Sequence, residues 1–200
     1  MKKLLLTGFE PFLQFTTNPT MEIVQSLNGT IINGYNIIGR IMSVDFTRSG
    51  KEMLNYYEET QPDAVISLGL AGGRTKITPE RIAINCNDGD RDNSGNKPAG
   101  EKIIPDGPDG LFSTLPIQKM VESLKEQGYP AGISNTAGTY LCNHVMYQML
   151  YTLNQDHHQI QSGFIHIPAS HELAIDAGKM PSWSQEDLLQ SIRICIEALD

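Results

Sequence analysis

A chain of 200 residues, 40% of them hydrophobic, can bury one substantial core and fits a single domain over 1–200 better than two. Its 23 acidic against 15 basic side chains give a formal charge of −8. With no Lys/Arg cluster, that balance opposes a nucleic-acid or anionic-membrane partner. No apolar run approaches the ~18–20 residues of a membrane helix. The opening Met1-Lys2-Lys3-Leu4-Leu5-Leu6 is cut by Thr7-Gly8-Phe9-Glu10-Pro11, far short of a secretory apolar segment, so a soluble cytoplasmic protein is expected.

In chain order, the apolar run 4–7 reads as a buried strand, followed by Phe9-Glu10-Pro11-Phe12, which sets two aromatic rings on an irregular loop. Asn18 as cap, Pro19 at the first helical position and apolar Ile23, Val24 and Leu27 mark a helix that stops at Asn28-Gly29. Asn33-Gly34 predicts a hairpin between 30–32 and 35–42. A helix over 46–60 leads to an apolar strand over 64–70, then to Ala71-Gly72-Gly73-Arg74 and Thr78-Pro79-Glu80-Arg81. Cys86 falls in a further expected strand. The stretch 87–110, rich in Asp, Asn, Gly and Pro, is long for a structureless loop inside a compact domain, and such loops are usually functional.

Helices are predicted over 117–127, 143–153 and 184–199, and strands over 132–134 and 163–167. The last helix is best marked: Ser182-x-x-Gln185 reads as a capping box, and Leu188, Leu189, Ile192, Cys195, Ile196 and Leu199 form an apolar stripe. Cys195 is therefore expected in the core. Alternation of strands and helices predicts an α/β fold: an open, twisted, mostly parallel sheet with helices on both faces and an N-terminal hairpin.

Several motifs are discounted. Asp88, Asp90 and Asp92 are spaced like a calcium loop, but Asn93 stands where the sharp-turn glycine is needed and Ala99 where the bidentate Glu belongs. His157-His158 reads as solvated surface. The glycines at 69, 72 and 73 complete no dinucleotide or Walker pattern. Three cysteines at unrelated spacings form neither a disulfide framework nor a zinc clip. No metal or cofactor is expected.

In open α/β sheets, ligands bind beyond the carboxyl ends of the strands. Glu80 follows the strand 64–70, Cys142 follows 132–134 at the start of a helix, and His166 closes 163–167, so all three collect on one rim. A thiol at a helix N-terminus faces unpaired N–H groups and the positive end of the helix dipole, which favours the thiolate. An imidazole would take the thiol proton and return it to a leaving amine, while a carboxylate holds the imidazole tautomer. Acyl transfer is the reaction class this set points to. Each member alone has a plainer reading: Cys142 as a buried hydrophobe, His166 as a structural histidine, Glu80 as a loop carboxylate paired with Arg81, and Phe9 and Phe12 as core. The shared rim is what favours chemistry.

Leu6-Thr7-Gly8-Phe9-Glu10-Pro11-Phe12 with Asn18-Pro19, GLAGGR at 69–74, ITPERIAIN at 77–85, TAGTYLCNHVMY at 136–147 and GFIHIP at 163–168 together closely resemble the pyroglutamyl peptidase I family. The resemblance runs in order from the first strand to Pro168, while the C-terminal helix matches by pattern only. It implies a cysteine peptidase, usually a homotetramer, that acts on peptides with an N-terminal pyroglutamate. Its catalytic glutamate, cysteine and histidine fall on Glu80, Cys142 and His166, and Phe9 and Phe12 on the walls of the lactam pocket. A family arginine near the reacting carbonyl has one counterpart in the acidic loop, Arg91. A non-catalytic relative that binds pyroglutamyl ligands is the competing reading.

Three segments depart from the family pattern. Leu13-Gln14 replaces two glycines, Asn87-Asp88-Gly89-Asp90-Arg91-Asp92-Asn93 is one residue short, and Ala169-Ser170-His171-Glu172 replaces a Tyr-Ile-Pro-Glu-Gln run.

Overall fold

A computed structural model describes every residue except 13, 14, 16 and 157–159, so the readings of Leu13-Gln14 and His157-His158 lie outside the described residues. The first half of the chain runs β1 (Lys2–Phe9), α1 (Pro19–Leu27), β2 (Ile31–Ile32), β3 (Tyr35–Met42), α2 (Ser49–Thr60), β4 (Ala64–Leu70), β5 (Thr78–Pro79), β6 (Ile82–Ile84), β7 (Asn87–Asp88) and β8 (Ala99–Glu101). There follow β9 (Gly110–Phe112), α3 (Ile117–Glu126), α4 (Leu141–Gln155), β10 (Gln161–Ile167), β11 (Ala169–Ser170), α5 (His171–Ala177), β12 (Ser182–Trp183) and α6 (Gln185–Glu197).

The main sheet has the order β2-β3-β1-β4-β10-β5. Its four central strands are parallel, and the two edges are antiparallel: the β2/β3 hairpin on one side and β5 against β10 on the other. Side chains alternate across a strand, and the core divides accordingly. Leu4, Leu6, Ile66, Leu68, Ile165 and Ile167 pack under α1, α3 and α6, whereas Leu5, Val65 and Phe164 pack under α2 and α4. Strand residues buried on both faces explain why the sequence shows continuous apolar runs. The α/β class, the mostly parallel sheet, the helices on both faces and the hairpin are as expected.

The differences have local causes. β1 continues to Phe9, because pairing with β3 persists to Phe9↔Met42. Phe9 is thus a buried strand end and not a loop ring. α2 starts three residues later than expected. A turn at 46–48 closes on Asp45, whose carboxylate accepts from Thr47 N–H (2.7 Å) and whose carbonyl accepts from Arg48 and Ser49. α6 is capped by Ser184, whose Oγ accepts from Asp187 N–H at 3.0 Å, and not by Ser182, which pairs with Ala169 in a two-stranded ribbon. The expected strand 132–134 makes only one isolated bridge, Glu80↔Ser134, with a second, Ile77↔Ala131, just ahead of it. Cys86 lies between β6 and β7 and not inside a strand. α5 was not foreseen; Ser170 caps it by accepting from Leu173 N–H.

The acidic loop folds on itself. The Asp92 carboxylate is buried and accepts from the N–H groups of Phe46, Ser94 and Asn96 at 2.8–3.0 Å. Chain expected as one loop thus carries a short antiparallel pairing of β7 with β8, and its turn residues between them are pinned by Asx-type hydrogen bonds.

Candidate active site

Parallel register decides the site. Phe164 and His166 point to the same face of β10, two residues apart, and this is the face that α4 covers. His166 stands directly across from Gly69 of β4. A Cβ added at Gly69 would sit 2.6 Å from the Phe164 ring and 2.9 Å from Cys142 Sγ. The sulfur therefore occupies the space that a side chain on β4 would take. Cys142 is the second residue of α4, which starts two residues ahead of the expected 143.

No side chain caps the N-terminus of α4, so its first N–H groups remain as donors. Asn143 fixes this end of the helix. Its Oδ1 accepts from Ile84 N–H, and its Nδ2 donates to the carbonyls of Ile84 and Cys86. Sequence reading passed over Asn143, which carries no signal apart from being a polar residue on a buried face.

Behind His166, Glu80 is wholly buried and accepts from the ring through Oε1 at 2.6 Å. An ionised carboxylate can only accept, so the proton sits on Nδ1 and Nε2 is the free acceptor. Burial drives the Glu80 carboxyl upward, but the His166 hydrogen bond and charge, with Ser134 and Arg74, hold it below its ordinary value. For His166 burial dominates and lowers the imidazole, with Arg74 adding to that and Glu80 opposing it.

Burial also pushes the Cys142 thiol up to about 12, with the Glu80 charge adding to the shift. This reverses the thiolate expected from helix position alone, because desolvation of the sulfur outweighs the helix end. Burial thus favours the thiol over the thiolate at Cys142 and the neutral imidazole at His166.

Cys142 and His166 open on one cavity of about 190 Å³, whose walls include Phe9, Phe12, Val44 and Tyr140. That is below the roughly 300–1,000 Å³ of drug-sized sites and fits a single small ring. Tyr140 donates its hydroxyl to the Arg91 carbonyl at 3.1 Å. Burial and nearby Asp92 push this phenol up to about 12, so it stays uncharged. The walls are apolar or neutral.

The structure brings together five of the six candidate residues. Arg91 is exposed, its guanidinium donates to the Gly95 carbonyl at 2.7 Å inside its own loop, and it meets the cavity wall only through its carbonyl, on Tyr140. Arg74 was present in the GLAGGR string but had no role assigned. It donates to the same Glu80 oxygen as His166, also at 2.6 Å. Gly69 was weighed only as part of a nucleotide motif. Register against His166 is the signal that identifies it, and register is not visible in one sequence.

The profile of the pyroglutamyl peptidase family matches residues 2–200. This chain belongs to that family. It is 58% identical over 200 residues to the pyrrolidone-carboxylate peptidase of Oceanobacillus iheyensis, covering 100% of both chains. It is 56% identical over 197 residues to that of Lysinibacillus sphaericus, covering 98% and 96%. Among solved structures, the pyrrolidone carboxyl peptidase of Thermococcus litoralis superposes with a TM-score of 0.95 at 38% identity, covering 100% of this chain and 93% of that one. A mutant pyrrolidone carboxyl peptidase from Pyrococcus furiosus gives 0.95 at 42%, covering 98% and 97%. Family membership extends through α6, which the sequence matched by pattern only.

Proposed function

We propose that this pyroglutamyl peptidase family member is a cysteine peptidase that hydrolyses the amide bond after an N-terminal pyroglutamyl residue. Cys142 would be the nucleophile, His166 the base and Glu80 the residue that orients the histidine. The observation that carries the reading is one small apolar cavity with Cys142 and His166 in its wall and buried Glu80 hydrogen-bonded behind the histidine. A pyroglutamyl ring is compact and uncharged, and Phe9 and Phe12 offer it aromatic walls.

From a neutral resting pair, His166 Nε2 takes the thiol proton as sulfur attacks the scissile carbonyl. The N–H groups at the open start of α4 receive the oxyanion. His166 returns the proton to the leaving amine, and a thioester remains on Cys142. Water, deprotonated by the same nitrogen, releases pyroglutamate and restores the thiol. The whole chain serves as one peptidase domain, and we place the enzyme in the cytoplasm as a homotetramer, as the family resemblance implies. None of the described helices is long and apolar enough to cross a membrane.

Amide hydrolysis with purified protein tests this reading. Peptides beginning with pyroglutamate should be cut, and those beginning with free Glu or Gln should be cut at least about 10³-fold less well in kcat/KM, because burying an unpaired ammonium costs several kcal/mol. Comparable values would refute the pocket assignment, and tight pyroglutamyl binding without turnover would leave a binding relative.

Arg91 has a different expectation from the carbonyl role that the family pattern assigns it. With its guanidinium spent on Gly95, Arg91→Ala should behave as a surface change, within roughly 0.5 kcal/mol or about twofold in kcat. A tenfold loss in steady-state turnover would return the arginine to the oxyanion.

A further inference from the structure

We propose that Arg74 is a positioning residue of the catalytic group, a clamp that fixes Glu80 against His166 and ties both to the segment ahead of Cys142. The inference rests on the peptidase reading above and adds a residue to it.

Glu80 Oε2 has no hydrogen-bond partner and is fully buried. Its two close donors therefore both fall on Oε1, which accepts from His166 Nδ1 and Arg74 Nη1 at 2.6 Å each, while the Ser134 hydroxyl also helps to hold the charge. A buried carboxylate held by one neutral imidazole alone would be costly. Arg74 supplies the countercharge from the protein edge, with its side chain 28% exposed against 0% for Glu80.

The same guanidinium reaches two further points. Nη1 donates to Thr78 Oγ1, and Thr78 Oγ1 in turn donates to the His166 carbonyl. Nη2 reaches the Thr136 carbonyl at 3.4 Å, at the head of the segment that runs through Ala137 to Tyr140 into α4. One side chain thus touches Glu80, the strand that leads to it and the approach to the nucleophile, and is linked to the strand of His166 through Thr78. Its own backbone is held by a turn, with Arg74 N–H donating to Ala71 O at 2.9 Å. A planar fork suits this multiple contact, and a lysine would keep the charge but lose part of the geometry.

The charged and titratable groups facing His166 are Glu80 from β5's end, Arg74 from the turn after β4 and Cys142 from α4. Removing the Arg74 charge removes an influence that lowers both His166 and Glu80. Both would then hold protons at higher pH, so the acidic limb of activity should move upward.

The test compares wild type, Arg74→Met and Arg74→Lys on a pyroglutamyl amide across pH, with circular dichroism to establish folding. Arg74→Met should lose about ten- to a hundredfold in kcat, less than the roughly 10²–10³-fold of a donor that touches the reacting atoms because Arg74 acts through Glu80, with KM within about twofold. Its acidic limb in kcat/KM should shift to higher pH. Arg74→Lys should restore the limb and part of the rate. The pH profile of inactivation by iodoacetamide gives a substrate-independent measure and should shift in the same direction. A variant with wild-type kcat, or one whose rate falls while both limbs stay in place, would reduce Arg74 to a structural ion pair. Should Arg74→Met fail to fold, Arg74→Ala with and without added guanidinium decides: recovery of rate supports the clamp, and no recovery overturns it. An inactive wild type with a normal alkylation profile would instead refute the substrate assignment.

Discussion

Cys142→Ser should abolish turnover of a pyroglutamyl amide while leaving the fold intact. The hydroxyl fits the space of the thiol, so packing against Gly69 and Phe164 is kept and the thermal midpoint should stay within about 2 °C, as for a change worth under about 0.5 kcal/mol. The chemistry is not kept. His166 is lowered by burial, which makes it a weak base, and a serine hydroxyl gives up its proton far less readily than a thiol. Removing a nucleophile from an established triad costs on the order of 10⁶-fold in kcat, and at least about 10³-fold is expected here. Cys195 is buried in the α6 stripe and Cys86 is not part of the cavity wall, so Cys86→Ser and Cys195→Ala should remain active. Full activity in Cys142→Ser, measured by amine release, would end the cysteine-peptidase mechanism.

Gly69→Ala is the second large effect and is purely steric. Nothing in the backbone there demands glycine, since its φ is outside the positive region. The demand comes from what lies above it. A methyl 2.6 Å from the fully buried Phe164 ring and 2.9 Å from Cys142 Sγ must displace one or both. Overpacking of this kind costs about 1–3 kcal/mol of stability, or roughly 2–12 °C in the thermal midpoint of a chain this long. The kinetic penalty should be larger in proportion, because moving the sulfur by about 1 Å relative to His166 spoils the attack geometry, at about 10²-fold in kcat. A Gly69→Ala variant with wild-type kcat would mean that the sulfur and ring relax without cost, and that the narrow approach is incidental.

Much of this protein was legible in its sequence. Continuous apolar runs at 64–70 and 163–167 required strands buried on both faces, which in turn required helices on both sides. Asn18-Pro19 and the α6 stripe placed helices by local rules of capping and periodicity. Cys142 and Glu80 were found beyond apolar runs and His166 near the end of one, and the rule that ligands gather at strand ends was enough to group them. Local signals failed where the partner of a residue lies far along the chain. Cap choice at Ser184 over Ser182 depended on Ser182 being drawn into a ribbon with Ala169. Residues 132–134 had strand composition but found only one isolated bridge, from Ser134 to Glu80.

Tertiary structure alone decided the electrostatics and the fine geometry. Helix position argued for a thiolate at Cys142, yet the packing around its sulfur favours the thiol, because the cost of desolvating a charge depends on everything packed around it. The tautomer of His166 follows from Glu80, 86 residues away in sequence. Gly69, Arg74 and Arg91 look alike in one respect, since each is a residue type with several ordinary uses. Strand register placed Gly69 under the sulfur, the turn after β4 set Arg74 on the triad carboxylate, and the fold of the acidic loop turned Arg91 onto Gly95.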